Sequence, residues 1–163
     1  MLGKKARDTV SGYEGVVIGV EKHLHNCDRV YIQKQKVQDN GEPVKGSWCD
    51  LPQVLIGGKS SIPVTPPQPL TFSLGDEVQD TLSDFKGVVV CVVQWIQGCW
   101  RLAIQSREME KGVPVDEISL PSSQCKLIKS AKPVSSAEGA PVKVETRPGG
   151  PMKDPKRQAD PKR

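Results

Sequence analysis

The chain has 163 residues and a mass of 17.8 kDa, with 36% hydrophobic and 4% aromatic residues, 15 glycines and 14 prolines, which suits small cores rather than one large one. Its formal net charge of +4 is unevenly placed: residues 129–163 hold nine bases and four acids, and the remainder holds fourteen bases and fifteen acids. No apolar run approaches the length of a membrane helix, and the polar start from Met1 to Lys5 lacks the apolar segment of an export signal, so the chain is expected in a cytosol, its five cysteines mostly reduced.

Self-similarity organises the rest. A shift of 72 positions places Leu2-Gly3 on Leu74-Gly75, Asp8-Thr9 on Asp80-Thr81, Ser11 on Ser83 and Tyr13 on Phe85. It continues with Gly15-Val16-Val17 on Gly87-Val88-Val89, Cys27 on Cys99, Arg29 on Arg101 and Ile32-Gln33 on Ile104-Gln105. After a one-residue slip Gly41-x-Pro43-Val44 matches Gly112-x-Pro114-Val115, and the original offset is expected to return at Leu55-Ile56 and Leu127-Ile128.

In chain order, each copy begins with a short strand near Ala6–Val10 or Val78–Leu82, followed by a polar turn whose glycines suit positive φ and whose Tyr13 or Phe85 can cap a barrel end. A long β-branched strand follows, Val16–Leu24 or Val88–Ile96, and a tight turn returns it into Arg29–Gln35 or Arg101–Ser106. A polar loop then leads to closing strands near Leu55-Ile56 and Leu127-Ile128. Four or five strands in so short a stretch call for closure into a barrel, which buries one face and removes open edges. The expected organisation is all-β: residues 1–56 as copy 1, a Pro/Gly-rich linker at 57–73 holding the copies apart or pinning them, copy 2 at 74–128, and an extended basic tail at 129–163.

The run Leu-Gly-x-x-x-x-Asp-Thr-x-Ser-x-(Tyr/Phe)-x-Gly-Val-Val, followed by a polar turn with Cys-x-Arg, resembles small barrel proteins of tailed bacteriophages and, more broadly, the SH3-like, KOW and Tudor-like class. The resemblance covers about residues 2–56 and 74–128. It implies two tandem SH3-like barrels and a virion protein of the head-decoration, collar or tail-accessory kind, made in the host cytoplasm and carried on the particle. The expected partners are other virion proteins, including further copies of the chain itself.

Enzymatic chemistry finds little support. His23 and His25 stand in no triad-like spacing, and Gly57-Gly58-Lys59-Ser60-Ser61 lacks the spaced glycine and following helix of a phosphate loop. On a regular strand His23, His25 and Cys27 would share a face, but the turn interrupts it and copy 2 lacks both histidines, so no metal and no cofactor is expected. The acids Asp8, Asp80, Glu14, Asp76, Glu77 and Asp84 read as solvated turn caps. Trp48 reads as core, and Trp95, Ile96 and Trp100, flanking one hairpin turn, read as an exposed protein-docking tip, with His23 and His25 at the first tip. In the tail Lys153, Lys156, Arg157, Lys162 and Arg163 are the expected docking residues. Nucleic acid is disfavoured for the barrels, since copy 2 has five bases against eight acids, leaving the tail as the alternative route to it.

Overall fold

A computed structural model describes residues 1–131, and the five tail residues from Lys153 to Arg163 lie outside them. The chain is predominantly β, and among the described residues no helix reaches seven residues. Copy 1 contains β1 (Lys4–Asp8), β2 (Glu14–His23), β3 (Arg29–Gln33), β4 (Ser47–Asp50), a one-turn 3-10 helix (Leu51–Gln53) and β5 (Val54–Ser60). Copy 2 repeats the plan with β6 (Glu77–Asp80), β7 (Lys86–Trp95), β8 (Trp100–Gln105), the small hairpin β9 (Met109–Glu110) and β10 (Val113–Pro114), β11 (Ile118–Pro121), a second 3-10 turn (Ser122–Gln124) and β12 (Cys125–Lys129).

Every pairing is antiparallel, and the two copies share one order: β5-β1-β2-β3-β4 and β12-β6-β7-β8-β11. Alternation of apolar residues builds a core in each. Ala6, Val17, Val30, Ile32 and Cys49 fill copy 1; Val78, Val89, Val92, Leu102 and Ile104 fill copy 2. Tyr13 and Phe85 pack against the respective cores at equivalent turns. Gly15 and Gly87 bring two strands close together: a Cβ at Gly87 would sit 2.5 Å from the Gln105 carbonyl oxygen, and one at Gly15 would strike the equivalent Gln33.

The long strand is twice the length of the first strand it pairs with. On one edge β2 is covered by β3 from Val16 to Glu21; on the other β1 covers only Glu14 to Val16, leaving its second half open. That open edge is taken by copy 2. Gly19 pairs with Trp95, Val20 with Gln94, Glu21 with Val93, Lys22 with Val92 and His23 with Cys91, so the copies merge into one ten-stranded sheet. Each copy thereby covers the other's exposed edge, which would otherwise invite aggregation. Equivalent bulges serve the junction: the registers slip at Ile18 in β2 and Val90 in β7, and the carbonyls of these two residues accept the N–H groups of Ile96 and Leu24 across the seam, both at 2.9 Å. The register is symmetric, since the 72-residue shift carries the Gly19–Trp95 pair onto Cys91–His23, so an approximate local two-fold relates β2 and β7.

Three expected boundaries move. β5 runs through Ser60, past the expected end of copy 1 at residue 56, and β12 reaches Lys129. Leu70 and Phe72, assigned to the linker, pack on the core of copy 2. Register also corrects the repeat: Ala6 faces Ile56 and Val78 faces Leu127, so Ile56, not Leu55, is the equivalent of Leu127, and the one-residue slip persists to the end of each copy. The linker lies against the second hairpin turn, where Thr65 N–H donates to the Ile96 carbonyl at 3.0 Å and Gln68 N–H to the Gly98 carbonyl at 3.2 Å. It pins rather than separates.

Candidate functional site

The expected exposed tip of Trp95, Ile96 and Trp100 is corrected by this packing. Ile96 is only 6% exposed, Trp100 packs on the copy 2 core and donates its indole N–H to the Gln68 carbonyl, and the linker covers the turn. Trp95 turns toward copy 1, where its ring meets Tyr31 and Trp48 edge-on at 5.7 and 5.9 Å. Trp48 is likewise a seam residue rather than part of the copy 1 core, with Arg29 stacked over its ring at 5.6 Å. Gly19 leaves room for this box, since a Cβ there would come within 3.1–3.2 Å of Trp95 and Tyr31. From the sequence Trp95 and Trp100 read as a tip and Trp48 as core, because nothing local reveals a partner from the other copy.

The exposed apolar tips lie elsewhere, at the turns after β1 and β6. Val10 is 77% exposed and Leu82 81%, at equivalent positions. Each turn is built by the aspartate that ends the preceding strand. Asp8 accepts from the Ser11 backbone N–H at 2.9 Å and from the Ser11 hydroxyl; Asp80 accepts from the Ser83 N–H at 3.0 Å, the Ser83 hydroxyl and the Gln124 amide at 2.6 Å. Both acids cap turns as expected but are buried rather than solvated, 3% and 2% exposed. Donation from the serine hydroxyl is the main cause that lowers the Asp8 pKa below the usual carboxylate value and lowers that of Asp80 to about 2, with burial opposing it in both. The signal was in the repeat: an apolar residue stands between Asp-Thr and Ser in both copies.

A second feature distinguishes the copies. A groove of about 710 Å³ on copy 1 is lined by Lys5, Arg7, Lys34 and Lys36, with Glu14 as its one acid. Arg7 and Glu14 approach to 3.5 Å, and Lys34 stands 4.5 Å over the Tyr13 ring. The equivalents of the four cations in copy 2 are Glu77, Gln79, Ser106 and Glu108, so the same geometry carries a different charge.

The histidines part company. His25 is exposed beyond the end of β2, as is Cys27, so the shared face with His23 does not form. His23 instead lies on the seam beside Glu21 and Cys91. No family model, curated protein or solved structure matches the chain. Among the described residues no helix is long and apolar enough to cross a membrane.

Proposed function

We propose that this chain is a non-enzymatic assembly protein of a tailed-bacteriophage particle, a head-decoration, collar or tail-accessory component made of two SH3-like barrels. The shared strand order, the bulged long strand and the one-turn helix before each last strand support the barrel reading. The observation that carries the function is the duplicated exposed turn, Val10 in copy 1 and Leu82 in copy 2, each held by a buried aspartate on one continuous sheet. A pair of equivalent apolar knobs at fixed separation suits a surface that repeats, and once one knob is seated the second binds at high effective concentration. The tail, with Lys153, Lys156, Arg157, Lys162 and Arg163, acts as the arm that reaches a neighbouring subunit.

Cosedimentation with purified phage particles tests this. Val10→Asp and Leu82→Asp should each weaken association and the double substitution should abolish it, while a chain ending at Ala131 should bind less tightly than the full chain. Undiminished sedimentation of the double variant would overturn the reading. The copy 1 groove favours a second reading, nucleic-acid binding, because four cations converge there. That reading requires DNA binding that weakens steeply with salt and is lost on charge reversal at Lys34 and Lys36, with the knob variants unaffected.

A further inference from the structure

The seam between the copies has two chemically different ends. The two-fold that relates β2 to β7 makes the His23–Cys91 pair the counterpart of the Trp95–Gly19 pair. One end is closed by the Tyr31, Trp48 and Trp95 rings. At the other end directly opposed His23 and Cys91, with Glu21 two residues along β2 on the same face, bring together an imidazole, a thiol and a carboxylate.

We infer that Glu21, His23 and Cys91 form a binding site for a zinc-type divalent transition metal, shared between the two copies. The ligand atoms of the three residues all lie within 4.8 Å of one another. Metal–ligand bonds of about 2.0–2.3 Å place such atoms roughly 3.5 Å apart, so side-chain torsions need to close about 1 Å. A nitrogen, an oxygen and a sulfur donor form the borderline-soft set that zinc takes, and three protein ligands leave a fourth position for water.

Two details of the cluster point the same way. His23 Nε2 is cut off from solvent and lies 3.1 Å from Glu21 Oε2, yet outside hydrogen-bond geometry, so this buried ring nitrogen has no hydrogen-bond partner among the described residues. A buried polar atom without a hydrogen bond is costly, and a bound metal ion would satisfy it. Glu21 is held by Arg29, whose Nε and terminal nitrogen both donate to Oε2, at 2.8 and 2.7 Å, which leaves Oε1 facing Cys91. An outer partner that fixes a carboxylate in this way orients it for a metal. The Cys91 thiol now donates to Oε1 at 3.1 Å; burial, first among its causes, raises its pKa, so it keeps its proton until a metal displaces that proton to solvent. The route in is at His23, whose side chain is 13% exposed, and Arg29.

The expectation of no metal rested on His23, His25 and Cys27; this site keeps only His23, takes its thiol from the other copy, and is independent of the docking reading. The test is titration of chelator-treated full-length protein with Co2+ alone, followed by Zn2+. One Co2+ per chain should produce thiolate-to-cobalt charge-transfer absorption, Zn2+ should displace it, and either metal should raise the thermal midpoint. The absorption should disappear in Cys91→Ser and in His23→Gln, the latter a mild change at a seam edge whose folding is checked by circular dichroism. It should persist when His25, Cys27 and Cys99 are replaced together. Absence of the band in folded wild-type protein, its survival in His23→Gln, or its loss in the triple replacement would each overturn the site.

Discussion

Trp95→Ala removes the ring that joins β7 to β3 and β4 of the other copy. Each edge-to-face pair contributes about 0.5–1.5 kcal/mol, so the two contacts together represent about 2 kcal/mol. Lost burial of a partly covered indole adds about 1 kcal/mol, giving about 3 kcal/mol in all, the low end of the range for Trp→Ala in a core. In urea, with a slope of roughly 2 kcal/mol per molar, the midpoint should fall by about 1.5 M. Far-UV circular dichroism is the suitable probe because the substitution alters fluorescence directly. A double-mutant cycle of Trp95→Ala with Trp48→Leu should return a coupling of about 1 kcal/mol across the seam, and the wild type should unfold in one transition. Strict additivity of the two substitutions, or two separate unfolding transitions in the wild type, would refute the account of the seam as the joint that makes one body of two copies.

Acid should weaken the chain through its turn aspartates. Asp80 has a folded pKa of about 2 against 3.8 in its ordinary state, so its ionised form is favoured by folding; that stability is complete above pH 3.8 and is lost as the pH falls from 3.8 toward about 2. Asp80→Asn should be less stable than wild type at neutral pH and the difference should shrink on acidification, as read from urea midpoints; a pH-independent difference would sink this assignment. Gly87→Ala, which drives a Cβ against the Gln105 carbonyl and the Ile104 side chain, should cost about 1–3 kcal/mol. Gly58→Ala, with nothing within 4 Å of the new methyl group, should stay within about 0.5 kcal/mol of wild type; thermal melts of the two variants side by side check the contrast.

Residue order alone determined the elements and their duplication. Asp-Thr-x-Ser set a capped turn twice because an aspartate and a serine bond their own backbone neighbours, and the β-branched runs Val16–Leu24 and Val88–Ile96 set the long strands because alternation along one strand is a local property. In the structure the ten-residue β2 beside the five-residue β1 leaves part of its edge without a partner in its own copy. Which partner was a question of tertiary structure. Pairing of β2 with β7 joins residues about seventy positions apart, and that pairing buried Ile96, turned Trp95 inward, drew Trp48 out of the copy 1 core and set Cys91 beside His23. Composition cannot distinguish an aromatic that docks on another protein from one that docks on a second copy in the same chain, because both are apolar groups beside a turn; only the placement of the opposing strand decides between them.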